Sequence, residues 1–185
     1  MNLDGIVAAG FAPVEAALIA GRIPGAVLGA VTRDGAIARR HAGAAQLVPE
    51  RAEMHGDTWF DLASLTKVIF TTTMILRLVE EGRIALDDRL TRAIPDLRQY
   101  DATAAERTLT FRQCLAHQSF LPAVEPLYTQ GQDPQTLRAF VLQRVWAQGP
   151  PIYSDINFIL LGIAIERLTG RTLRDHEVGS GRKLR

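Results

Sequence analysis

A serine and a lysine three residues apart, Ser64 and Lys67, are the most chemically informative pair in this chain of 185 residues. On a helix, positions i and i+3 share a face, so the amine can approach the hydroxyl. A serine at the start of a helix also meets free backbone N–H groups and the positive end of the dipole, which favour a developing oxyanion. To accept the serine proton the lysine must be neutral. Its amine therefore has to fall from an ordinary value of about 10.4 toward ~7–8, which burial beside apolar groups achieves. Val68, Ile69 and Phe70 follow directly and supply the apolar run. The pair is a candidate activated nucleophile. Ser180 and Lys183 repeat the spacing, but in a polar tail with no helical pattern behind it. Spacing alone does not define a site.

Tyr153-Ser154-Asp155 stands directly before the last helical pattern. A phenolate is a competent base if a cation such as Lys67 lowers its pKa. The other reading has Tyr153 packing while Ser154 or Asp155 caps the helix. His117 reads as a structural hydrogen-bonder. His41, His55 and His176 lack metal-ligand spacing and read as exposed, so no metal is expected. Cys114, the one cysteine, excludes an intramolecular disulfide and reads as a small buried hydrophobe. Asp87-Asp88 reads as a turn. No glycine-rich phosphate-binding pattern occurs, so no nucleotide cofactor is expected.

The elements that must position these residues follow from periodicity and turn chemistry. Val7, Phe11, Val14 and Leu18 fall on one helical face, with Pro13 predicting a late start. Ile23-Pro24-Gly25 breaks that helix, residues 26–32 read as a strand, and Asp34-Gly35 predicts a type I′ hairpin returning through residues 36–43. Helical patterning starts at Ser64 and closes at Gly82, a C′ glycine. Three consecutive threonines (71–73) lower its propensity, so burial must hold it. Residues 85–100 are turn-rich, with Pro95 as a breaker. Thr110 and Gln113 form a capping box for a short helix through Leu115. Asp133-Pro134 opens an amphipathic helix bearing Leu137, Phe140, Val141 and Val145. Ser154-Asp155 caps the last helix, which Gly170 closes.

Composition, 47% hydrophobic and 22% charged, fits a soluble globular domain and excludes collagenous or disordered classes. A formal charge of +1 gives no reason to expect nucleic acid. The apolar runs fall short of the ~20 residues that cross a bilayer, so no membrane span is expected. The N-terminus carries Asp4 and Glu15 and has no basic region of a secretory signal, which predicts a cytoplasmic location. Residues 167–185 hold six basic and two acidic side chains, and beyond Leu173 only Val178 and Leu184 are aliphatic. Residues 175–185 therefore read as a disordered, solvated basic tail.

Taken together these pieces resemble the serine β-lactamase and penicillin-binding-protein-like family, nearest its class C and esterase-type branch. The resemblance rests on Ser64-x-x-Lys67, Pro24-Gly25-Ala26-Val27, the stretch from Glu81 to Asp88, the stretch from Leu115 to Pro122, and Tyr153-Ser154-Asp155 with the helix after it. It runs in order over roughly residues 12–174. It implies an α+β fold: an antiparallel sheet with flanking helices (hairpin strands about 25–42) plus an all-helical lobe (about 64–170). It also implies acylation of Ser64, with Lys67 as base, Tyr153 as proton relay, Asp155 in substrate binding and the Ser64 N–H as half an oxyanion hole. The substrate would be a small ester, amide or β-lactam, with no cofactor. Asp155 replaces the family's asparagine; an ionised carboxylate cannot donate as an amide does, which disfavours strict β-lactamase specificity. Phe120 replaces a glycine and predicts a strained turn. The family's third motif, a Lys/His-x-Gly strand, has no counterpart, since Gly179-Ser180-Gly181 lacks strand patterning. The chain thus reads as an N-terminal portion of the fold. The rival reading is a non-catalytic remnant or binding module of the same fold.

Overall fold

The computed structural model describes residues 2–176, and Ser180, Lys183 and all but the start of the expected basic tail lie outside them. The chain divides into two compact units, Met1–Asp61 and Leu62–Arg185.

In the first unit, helix α1 (Leu3–Ile19) is capped by Asn2, whose side-chain oxygen accepts from the Gly5 N–H at 2.9 Å. Pro13 lies inside the helix without ending it, so the expected late start does not occur. Proline removes a single rung, and this one is on the exposed face. Val7 and Phe11 are buried, as their spacing requires.

Strand β1 (Gly25–Val31) pairs antiparallel with β2 (Ile37–Gln46), from Gly25 opposite Gly43 to Val31 opposite Ile37. The turn between them is not type I′. Gly35 alone has a positive φ, +90°, its N–H bonds the Thr32 carbonyl, and Thr32 pairs with Ala36. This is a three-residue loop with glycine in the left-handed position. A short third strand, β3 (Ala52–Glu53), pairs with β2, so the expected hairpin is a three-stranded antiparallel sheet, order β1-β2-β3. Strands β1 and β2 approach closely at their glycines: a Cβ on Gly25 would collide with the Ala44 carbonyl.

The second unit is helical. The Ser64 segment enters a π-helical stretch, Lys67–Thr72, which continues as α2 (Thr73–Glu80). The threonine run has a local role. Thr72 and Thr73 hydroxyls donate to the Lys67 and Val68 carbonyls, five residues back, at 2.8 and 3.3 Å. These bonds accompany the widened helical turn. Gly82 closes α2 with φ +70°. Met74, Ile75 and Leu78 are buried, whereas Leu65, Val68, Ile69 and Leu76 are exposed. The apolar run expected to surround Lys67 therefore faces outward in part.

Helix α3 (Phe111–Leu115) carries the expected Thr110/Gln113 capping box. Helix α4 (Pro134–Gln143) starts on Asp133, which accepts from the Thr136 N–H at 2.7 Å. It ends before Val145, which is exposed; Trp146 fills the core instead. Helix α5 (Asp155–Thr169) is the spine of the unit, with Ile156, Leu160, Leu161, Ala164 and Ile165 at most 1% exposed. Gly170 closes it in the left-handed conformation. These residues join the buried faces of α2, α3 and α4 in one core. The fold is α+β, a small open antiparallel sheet with a helix and a separate helical lobe. Among the described residues no helix is long and apolar enough to cross a membrane.

Candidate active site

Ser64, Lys67, Tyr153 and Asp155 all belong to the second unit and meet where the start of the Ser64 helix faces the start of α5. Ser64 sits in the turn leading into the helix: the Lys67 N–H bonds the Ser64 carbonyl at 3.0 Å. Ala63, immediately before it, has φ +44°, a conformation L side chains rarely adopt. No sequence signal marks that residue, yet strained backbone is a recurrent feature of functional sites.

Lys67 joins the other groups. Its Nζ lies 3.2 Å from Ser64 Oγ and 2.7 Å from Asp155 Oδ1. It also stands 5.1 Å above the Tyr153 ring centre and 5.8 Å from that of Phe158. The Lys67 side chain is 15% exposed and that of Asp155 44%. Desolvation pulls the Lys67 amine down, but hydrogen bonds and charge from Asp155 and Tyr153 outweigh it, and the net shift is upward. The amine expected to fall toward neutrality is instead held as an ammonium. Burial alone would have had the expected effect; the carboxylate reverses its sign.

Tyr153 moves the other way. A hydrogen bond to Ser64, then one to Lys67, together with the lysine charge, lowers its pKa. Tyr153 is half exposed.

His117 organises this end of the site. Its ring stacks on Tyr153 with centroids 4.3 Å apart and lies 5.1 Å from Phe158. Its Nδ1 accepts the Ser154 N–H at 2.9 Å, which puts the neutral ring's proton on Nε2. Desolvation and the Lys67 charge lower its pKa and keep it neutral. The strain expected at Phe120 lies at His117, whose φ is +53°, while Phe120 has no positive φ. Ser154 occupies the N-cap of α5, but its hydroxyl donates to the Pro122 carbonyl at 2.6 Å rather than capping the helix. Asn157, fully buried with its Nδ2 3.5 Å from His117 Nδ1, and Phe158 also shape the site. A lone amide within an apolar helix was the available signal for Asn157.

The other candidates stay away from this cluster. Cys114 is buried, its thiol pushed up to about 12 by desolvation. Asp88 closes the expected turn on the Ala85 N–H at 2.8 Å. His41 and His55 are exposed, whereas His176 is half-buried and its Nε2 lies 3.1 Å from Thr169 Oγ1. Among the described residues no three metal-ligating side chains converge.

Comparison with known proteins shows what the chain is similar to. The chain is 30% identical over 174 residues to an N-acetylmuramyl-L-alanine amidase of Bacillus subtilis (strain 168), covering 84% of this chain and 39% of that protein. Its fold superposes on a class C beta-lactamase from Rhodobacter sphaeroides with a TM-score of 0.69 at 28% identity, over 91% of this chain and 45% of the other. A D-amino acid amidase from Ochrobactrum anthropi SV3 gives 0.66 at 26% identity, over 85% and 44%. The chain thus spans less than half the length of these relatives. The Beta-lactamase family model matches residues 11–177. That match includes the serine, lysine and tyrosine whose side chains converge, and the chain belongs to the Beta-lactamase family of serine hydrolases.

Proposed function

We propose that this protein is a serine hydrolase that forms an acyl-enzyme on Ser64 from a small ester, amide or β-lactam. The observation that carries the reading is the placement of Lys67 Nζ 3.2 Å from Ser64 Oγ, with Tyr153 hydrogen-bonded to the same serine. Lys67 and Tyr153 act as a pair, and once one proton has left they share the other. Ammonium with phenolate, or amine with phenol, each leaves one basic site beside Ser64. Asp155 favours the Lys67 ammonium, while its charge opposes ionisation of Tyr153, which the bonds to Ser64 and Lys67 promote. The base expected at Lys67 alone is thus a property of the pair.

In acylation the Ser64 oxygen bonds to the carbonyl carbon, and its proton passes to the pair. The carbonyl π electrons move onto oxygen, beside the Ser64 N–H. Collapse of that intermediate breaks the bond to the leaving group, which departs with the proton. Water then repeats the sequence on the ester of Ser64 and releases the acid.

Labelling with a fluorophosphonate probe, followed by intact mass and peptide mapping, tests this. One adduct on Ser64 that disappears in Ser64→Ala is the expected result. No adduct, or one that survives the substitution, removes Ser64 from the chemistry and leaves a non-catalytic binding module of the same fold.

A further inference from the structure

Helix α3 ends in a motif that ordinarily takes glycine. The Gln118 N–H bonds the Gln113 carbonyl at 2.8 Å and the His117 N–H bonds the Cys114 carbonyl at 3.2 Å, the paired bonds of a Schellman cap. The residue just past the cap adopts the left-handed conformation, φ +53°, and here it is His117. Glycine or asparagine reaches that conformation at less cost. Asparagine would also present an acceptor to the Ser154 N–H, as His117 Nδ1 does at 2.9 Å. Neither the cap nor that hydrogen bond therefore accounts for an imidazole. What only the ring supplies is the stack on Tyr153, with centroids 4.3 Å apart and planes inclined by 31°.

The ring is itself held on several sides. The Ser154 N–H fixes its plane, the fully buried Asn157 faces the same nitrogen at 3.5 Å, and the Phe158 ring lies 5.1 Å away. The backbone just after Tyr153 is equally fixed. The Ser154 hydroxyl and the Asp155 N–H donate to the Pro122 and Ala123 carbonyls at 2.6 and 2.8 Å. The Tyr153 side chain has no such anchorage of its own. It is half exposed, and staggered alternatives about χ1 would carry its hydroxyl away from Ser64. Ser64 and Lys67 meet that hydroxyl, whereas His117 meets the ring.

We infer that His117 is a positioning residue, whose ring holds the Tyr153 hydroxyl against Ser64 and Lys67. Its effect on rate rests on acylation of Ser64, as proposed above; its effect on Tyr153 rests on the stack alone. An aromatic pair of this kind favours one arrangement of its rings by about threefold to tenfold. His117 does not act as a base through Nδ1, because that nitrogen accepts the Ser154 N–H. It acts through Tyr153. With the platform removed, Tyr153 spends less time bonded to Ser64 and Lys67, the contacts that hold its ionisation down.

His117→Asn separates the roles, because it keeps the left-handed turn and the acceptor and removes only the ring. The full chain is labelled with carbon-13 at tyrosine Cζ and titrated by NMR. Tyr153 is the resonance missing from Tyr153→Phe, and Tyr100 and Tyr128, both exposed, serve as internal references. In His117→Asn the ionisation of Tyr153 is expected to move up toward its ordinary range with both references unmoved. Fluorophosphonate labelling of Ser64 should slow by about threefold to tenfold. A Tyr153 titration equal to the parent's overturns the inference, since asparagine replaces a residue that only caps α3 without disturbing Tyr153. Loss of the buried Trp146 fluorescence in His117→Asn overturns it as well, because the turn and not the stack would then be what His117 serves. Absence of Ser64 labelling in the parent would overturn the hydrolase reading, and the titration would still decide the place of His117.

Discussion

Replacing Leu161 with alanine tests whether the core under α5 holds the site together. Leu161 is fully buried in the single apolar core of the second unit. The substitution removes three carbons' worth of burial, about 0.8 kcal/mol for each, or about 2.4 kcal/mol of transfer free energy. Incomplete collapse of the cavity adds to this, so a loss of roughly 3 kcal/mol is expected, within the range seen for buried leucines. Against a domain stability of about 5–15 kcal/mol this is a large fraction. The midpoint of thermal unfolding should fall by about 10 °C. The two tryptophans make the assay specific, because Trp146 is 3% exposed in this core whereas Trp59 is 97% exposed. Urea and thermal unfolding followed by fluorescence therefore report the second unit. Leu76→Ala, on the outward face at 48% exposure, serves as the control and should cost under about 1 kcal/mol. Equal shifts for the two variants would refute the claim that this core carries the stability, and with it the account of how α5 positions Tyr153 and Asp155.

Lys67→Met should raise the ionisation of Tyr153 toward its ordinary range, since it removes a hydrogen bond and a cation that hold it down; ultraviolet difference titration against Tyr153→Phe measures this, and an unmoved or lowered value counts against the shared proton. The Cys114 thiol, pushed up to about 12 by burial, should resist iodoacetamide in the native chain and react on unfolding. Mass spectrometry of native and urea-treated samples decides it, and rapid native labelling contradicts the burial. Asp96 is held below its ordinary 3.8, chiefly by hydrogen bonds from Arg167 on α5. A carboxyl lowered in this way contributes stability above pH 3.8 that is lost as the pH falls through the lowered value. Asp96→Asn should therefore be less stable than the parent at neutral pH and lose less on acidification, as denaturant midpoints across pH would record.

Much of the helical lobe was legible because its signals are local. The Thr110/Gln113 box, the Asp133 cap and the closing glycines at 82 and 170 each involve contacts within a few residues, and each occurs as expected. Ser64 and Lys67 were legible for the same reason: three residues of helical rise bring them together whatever surrounds them. The hairpin was read correctly but its turn was not. The third strand depends on how β2 continues past Gly43, which residue types at the turn do not encode.

The charge state of the site was beyond the sequence. Lys67 beside an apolar run predicts a depressed amine, and only the fold brings Asp155, distant in the chain, to 2.7 Å and reverses that expectation. Likewise, His117 could be read as a hydrogen-bonder, but not as the ring beneath Tyr153 or the acceptor of the Ser154 N–H. Sequence determined which candidate groups this protein brings to the site and the family to which the chain belongs. Tertiary structure decided where the protons reside, because a pKa responds to charges and hydrogen bonds within a few ångströms, and α5 and the His117 turn supply those neighbours from elsewhere in the chain.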